Sequence, residues 1–235
     1  MNSLVLETTE LLPERLASTI KKAIIGGQLL AGSRLVETDL AKQLGVSRVP
    51  LREAFRVLQG EGFVTIHPHR GAVISELSEE ELIELFSVRA IYEAFATEAQ
   101  AATRNPDVIA DLETSVADMR KAMRANNIDK YHNLAVAFHQ IIVERCGNKV
   151  LARQYDQVKK LLARYQAEMV LIAGLPAHSI RDHEKMIRAI KGGERMEAAR
   201  LARAHVEDLV TRYRASKKRV QPGRSAAAKK AKGAR

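Results

Sequence analysis

The sequence predicts a mainly α-helical chain in two parts with a basic tail, and three observations lead there. Apolar residues recur at helical spacing along most of the 235 residues. One short stretch, "FVTIHPHRGAVIS", switches to β-branched runs around a turn. The last nineteen residues hold eight Lys or Arg, no acid and a single large apolar residue, Val220. Apolar residues make up 46% of the chain, enough to fill a proper core.

Residues 11–76 change period twice. "PERLASTIKKAIIGG" carries Leu16, Ile20, Ala23 and Ile24 on one helical face, with Pro13 in a first-turn position and Gly26-Gly27 as the stop. "ETDLAKQLGVS" repeats Leu40, Ala41 and Leu44 and stops at Gly45, after which Ser47 can cap a helix running "RVPLREAFRVLQGEG". Pro50 falls in the first turn of that helix, where a missing N–H costs nothing. "FVTI" and "AVIS", separated by "HPHRG", then read as a two-stranded hairpin.

Residues 77–216 read as helix after helix. Breaks at Asn105-Pro106, Asn126-Asn127, Gly147-Asn148, Gly174-Leu175-Pro176 and Gly192-Gly193 give about six segments, so an antiparallel bundle is expected. Residues 217–235 cannot bury enough surface to offset ordering and are expected to be disordered. No window approaches eighteen uninterrupted apolar residues, and the first ten residues hold two acids and no base, which fits neither a membrane span nor a secretory leader. The expected location is the cytoplasm. Cys146 is the one cysteine; it permits no intrachain disulfide and is expected as a small buried apolar residue.

The net charge of +10 is uneven. Residues 1–10 carry −2, residues 11–76 carry +3, residues 77–216 carry +1, and the tail carries +8. Two basic regions flanking a neutral body suggest a polyanion met by the first region and the tail. Two helices joined by "LGVS", with small Ala41 at their crossing, make a helix-turn-helix, and the hairpin makes it winged. Ser47, Arg48, Val49, Pro50 and Arg52 at the start of the second helix would then face a DNA major groove, while Leu51, Ala54 and Leu58 hold that helix to its domain. Arginine is the side chain best suited to bidentate contact with guanine O6/N7 or with phosphate.

The stretch "RLVETDLAKQLGVSRVPLREAFRVLQGEGFVTIHPHRGAVIS" resembles the winged helix-turn-helix of GntR-type bacterial transcription regulators. With the all-helical remainder, the resemblance extends over residues 12–216 and points to the subgroup named after the fatty-acid regulator FadR. It implies a homodimer on a short inverted-repeat operator of double-stranded DNA. It also implies DNA contacts from Arg48, Arg52 and the wing residues His69, Arg70 and Gly71, and a helical domain that binds a small organic acid effector.

Three histidines lie on inward faces of the helical part. His139 has Ala135, Val136, Ile142 and Val143 as same-face neighbours; His183 has Ser179, Ile180, Met186 and Ile187; His205 has Leu201, Ala202 and Leu209. His183 and His205 lie about ten and twelve residues from the Gly192-Gly193 turn, so at roughly 1.5 Å rise per residue they reach nearly the same level. Three imidazoles suit zinc or another borderline divalent ion. For any one of them alone, a satisfied core histidine is the better reading. The resemblance implies a metal site on His139, His183 and His205 plus an aspartate one turn before the first, a position held here by Ala135. It also places Arg89 where an arginine reaches the effector; a salt bridge to Glu93, four residues on, is the competing reading. His67 goes with the wing, and His132 and His178 read as surface residues.

Two other function classes remain open from sequence. A metal-dependent hydrolase would need a general base beside a metal-bound water, and the nearest carboxylate slot holds Ala135. A nucleoid protein driven by the tail would bind DNA without sequence preference.

Overall fold

The structure is a computed structural model that describes residues 11–68, 71–169, 171–172 and 174–220. The chain divides into two compact units between Ser78 and Glu79.

In the first unit α1 (Leu12–Ile25) opens with Pro13 in its first turn and closes at Gly26. After β1 (Arg34–Leu35), α2 (Glu37–Leu44) ends at Gly45, whose φ of 67° turns the chain into α3 (Arg48–Gly60). A left-handed turn at that point favours glycine because other residues put Cβ against backbone. Ser47 takes the N-cap position of α3 as expected, but its side chain accepts no capping bond among the described residues. Pro50 removes one of the two donors such a cap uses: the cap oxygen takes its bond from the second or third N–H of the helix, and Pro50 at the third position has none.

The wing strands β2 (Val64–His67) and β3 (Gly71–Ile74) pair antiparallel from Val64↔Ile74 to His67↔Gly71. The expected hairpin is part of a three-stranded sheet of order β1-β3-β2. Strand β1 adds only Arg34↔Val73 and Leu35↔Ala72, too short a run for alternation to show in sequence. Leu16 and Ile20 of α1, Leu51, Ala54, Phe55 and Leu58 of α3, and Leu35, Ala72 and Ile74 of the sheet form one core. That burial fixes which face of α3 is left to solvent.

The second unit comprises α4 (Glu79–Thr103), α5 (Pro106–Arg124), α6 (Ile128–Glu144), α7 (Lys149–Met169), α8 (Leu175–Gly192) and α9 (Arg195–Val220). Its boundaries follow the breaks read from sequence. Asn105 caps α5 by accepting from the N–H groups of Asp107 and Val108, and Asn127 caps α6 through Lys130 N–H. Gly193, at φ 72°, closes α8 before α9 begins. Helix α4 packs against α6, α7, α8 and α9, while α5 packs on α6 and α8. Helix α9 continues through Lys217–Val220, four residues that the sequence reading assigned to a disordered tail; residues 221–235 lie outside the described residues. Cys146 is half-buried at the edge of the core rather than fully inside it. Among the described residues, no helix is long and apolar enough to cross a membrane.

A polar row runs along the buried face of α4: Arg89, Glu93, Thr97 and Gln100 are all at most 4% exposed. Thr97 Oγ1 donates to the Glu93 carbonyl at 2.6 Å, and Gln100 Nε2 donates to the Ile142 carbonyl at 2.9 Å, tying α4 to α6. Buried polar groups survive where such partners exist.

Candidate metal centre and nucleic-acid interface

The packed face of α3 dictates the presented one. With Leu51, Ala54, Phe55 and Leu58 inside, Arg48, Val49 and Arg52 point outward, and Val49 is 70% exposed. An exposed valine at the start of a reading helix offers an apolar contact of the kind that takes a thymine methyl. Arg48, Arg52 and Arg56 share a groove with His67, Pro68 and Gly71 of the wing. Gly71 has φ 78°, and a side chain there would approach Arg34. His69 and Arg70 lie outside the described residues.

In the second unit, helices α6, α8 and α9 bring His139, His183 and His205 together, all buried, with one candidate ligand nitrogen from each within 4.8 Å of the others. His139 Nε2 and His183 Nε2 are 3.2 Å apart. Two nitrogens bound to one ion at 2.0–2.1 Å stand roughly 3.0–3.5 Å apart, so this spacing fits a shared divalent ion. Two of the three other ring nitrogens face carboxylates, while His183 Nδ1 is buried with no hydrogen-bond partner among the described residues. His139 Nδ1 lies 3.0 Å from Glu93 Oε2 and His205 Nδ1 lies 3.6 Å from Asp182 Oδ2. The Glu93 carboxylate at 3.0 Å favours the His139 tautomer whose bare lone pair is on Nε2, the usual backing of a metal-binding histidine, while Asp182 faces His205 at longer range. Phe138 stacks on the His183 ring at 4.2 Å and holds its plane.

The charge state agrees. Burial is the main cause that pushes the His139 pKa down to about 4, against the opposing pull of Glu93, and burial with the neighbouring imidazoles drives His183 well below its ordinary value. Both rings are therefore neutral near pH 7, the form that binds metals. Burial raises the Glu93 pKa, but Arg89 and His139 outweigh it and keep the carboxylate ionised. Asp182 is held at about 2: burial raises it, and the bonds from His205 and Lys185 more than offset that.

Arg89 forms the salt bridge that competed in the sequence reading: its Nε donates to Glu93 Oε1 at 2.6 Å, with both side chains buried. It nevertheless lines the cavity beside the histidines, about 60 Å³ in volume and partly open to solvent, between α4, α6, α7, α8 and α9. Ala135, Val136, Met169, Leu175 and Leu209 form its apolar wall; Gln166, Ser179, His139 and His205 add polar groups. Ala135, one turn before His139, lines this cavity together with His139 and His205.

Comparison with known proteins settles the family. The FCD domain matches residues 84–208, more than half of the chain, and the helix-turn-helix of bacterial regulatory proteins of the gntR family matches residues 12–74. The chain belongs to the GntR family and carries an FCD domain. It is similar to the gluconate operon transcriptional repressor of Bacillus licheniformis, 26% identical over 77% of this chain and 76% of the relative. It is also similar to the transcriptional repressor GlaR of Escherichia coli K12, 26% identical over 80% and 89%. Among solved structures, McbR/YncC of E. coli shares the fold with a TM-score of 0.71 at 19% identity, covering 88% of this chain and all of that one. The GntR family and these relatives are DNA-binding transcription regulators, not enzymes, and so is this chain.

Several residues of this FCD domain escaped the sequence reading. Glu93 was weighed only as a partner for Arg89, yet it also backs His139 and accepts from Tyr155 Oη at 2.7 Å. Asp182 behind His205 was not singled out; its position next to His183 in the sequence was the available signal. His132 was read as a surface residue, but it is half-buried and lines the cavity, because the apolar wall of α6 extends two turns toward its N-terminus. His178, also read as surface, is 29% exposed and bridges Asp182 and Asp208 at 3.3 and 3.1 Å.

Proposed function

We propose that this regulator is a homodimer that binds a short inverted repeat through Ser47, Arg48, Val49, Pro50, Arg52 and the wing residues His69, Arg70 and Gly71, and that a small organic acid alters its operator affinity. The acid would enter the cavity beside His139, His183 and His205, which hold a divalent ion, zinc by ligand preference. Its place of action would be the cytoplasm, where the operator is.

The observation that carries this reading is the three-histidine cluster with carboxylates facing two of its rings, set at the wall of a partly open pocket. A core that needed only bulk at these positions would not fill them with three imidazoles and supply Glu93 and Asp182 as well. A bound divalent ion supplies two positive charges and open coordination positions. Arg89 and Glu93 cancel each other, and Asp182 is paired with Lys185, so these side chains leave most of the ion's charge unbalanced. Ala135 contributes neither a ligand nor a charge. A carboxylate from the effector completes the balance, with Arg89 at the cavity wall to orient it.

Metal content by mass spectrometry, and calorimetric titration of zinc with and without candidate acids, test the proposal. Gluconate is a first candidate, given the operon in the name of the B. licheniformis relative. Zinc binding should strengthen in the presence of the effector, since ligand and metal are linked. Ala135→Asp should raise metal affinity without effector, and His183→Ala should lower it. If wild type binds no divalent metal with or without acids, and Ala135→Asp creates no site, the histidines are structural.

A further inference from the structure

Glu37 is the first residue of α2, and its carboxylate reaches both arginines assigned above to the operator. Its Oε2 accepts from Arg48 Nε at 3.3 Å, from Arg48 Nη2 at 3.1 Å and from Arg52 Nε at 2.9 Å. The Glu37 side chain is 21% exposed and the arginines more than half exposed, so the acid sits behind and the guanidinium groups in front. The N-terminus of α2 favours a carboxylate at this place through the helix dipole.

The atoms used matter. Glu37 takes Arg52 only through Nε, and Arg48 through Nε and one side of Nη2, so the end-on fork formed by Nη1 and Nη2 is left open on both. A guanidinium fork of two N–H donors is what reads guanine O6 and N7, and this one is free to do so. A single acid also cancels one of the two positive charges. Phosphate attraction follows charge without regard to sequence, whereas a guanine contact depends on where the fork points. The carboxylate therefore weakens the first and sharpens the second.

We infer that Glu37 sets operator specificity, by aiming the Arg48 and Arg52 forks at base edges while suppressing their sequence-independent attraction to phosphate. This rests on the assignment of those arginines to the operator, and the experiment separates the two. The probes are the duplex that wild-type protein selects from a random-sequence library and a shuffled duplex of the same composition, measured by fluorescence anisotropy over a salt series with the full chain. Glu37→Gln keeps an acceptor and removes the charge. It should bind the shuffled duplex more tightly, steepen log K against log salt by about one unit, as one extra phosphate contact does, and lower the preference for the selected duplex at least ~10-fold, the scale of one lost bidentate base contact. Glu37→Asp keeps the charge and should keep the wild-type slope, and thermal unfolding of both variants confirms the fold. Arg48→Ala and Arg52→Ala should each lower affinity for the selected duplex about 10-fold or more. If the arginine variants lose affinity while Glu37→Gln keeps both slope and preference, the role of Glu37 is refuted and the operator assignment stands. If the arginine variants bind as wild type, both fail.

Discussion

Two carboxylates in this molecule each hold arginine, and they do it in opposite surroundings. Glu37 joins Arg48 and Arg52 at the surface of the first unit, with the arginine side chains 55% and 54% exposed. Glu93 joins Arg89, His139 and Tyr155 inside the second, where the Arg89 and Glu93 side chains are 5% and 2% exposed. Water competes for every bond in the first cluster and for none in the second. The surface cluster can change partners when a polyanion arrives; the buried one is a fixed part of the wall. The difference teaches that one pairing of residue types serves an adaptable interface or a rigid pocket according to burial alone.

The largest expected effect breaks this comparison directly. Glu93→Gln leaves Arg89 charged and buried beside a neutral amide, and removing one partner of a buried pair costs roughly 3–5 kcal/mol. Glu37→Gln at the surface should cost no more than about 1 kcal/mol. Urea denaturation of the two variants checks the contrast, and equal losses would abolish it.

An effect of intermediate size comes from pH. The pKa of His139 is depressed to about 4 in the folded protein against 6.5 in the unfolded chain. The unfolded state therefore binds the proton first as pH falls, and stability present above pH 6.5 is lost progressively down to pH 4, where the loss levels off. Its size is about 3 kcal/mol by linkage. Thermal unfolding of chelator-treated protein from pH 7 to pH 4 shows it, and His139→Gln should reduce the loss in that window, leaving the share of His183, whose pKa is also depressed. The surface cluster contains no histidine; there burial raises the Glu37 pKa, and the bonds from Arg52 and Arg48 outweigh it and lower it.

The smallest effect concerns the tail. Truncation after Val220 removes five of its eight positive charges and should flatten the salt dependence of DNA binding while preserving preference for the selected duplex. An unchanged slope would leave the exposed cluster of the first unit as the main electrostatic contact.

The two units also differ in how far they could be read from sequence. Helix stops such as Gly45 and Gly193, and caps such as Asn105 and Asn127, are local signals, and the structure puts helix ends at each of them. His139, His183 and His205 were legible because apolar neighbours at i±3 and i±4 declare an inward face. What backs them was not. Glu93 sits forty-six residues before His139 in the chain, and nothing local distinguishes a buried acid on α4 from a solvated one. The same limit hid the grip of Glu37 on Arg48 and Arg52, which depends on the angle at which α2 meets α3. The uncapped Ser47 is a case where two local rules collide, since Pro50 in the first turn removes one of the N–H groups that a capping serine uses.

The chain contains no tryptophan, so its near-ultraviolet emission comes from five tyrosines. Tyr131 lines the cavity, and Tyr155 donates its hydroxyl hydrogen to the carboxylate that backs His139. Both are buried in the second unit, and the described residues of the first contain no tyrosine at all. The cavity beside the histidines is thus bordered by the protein's own chromophores, and the first unit is dark.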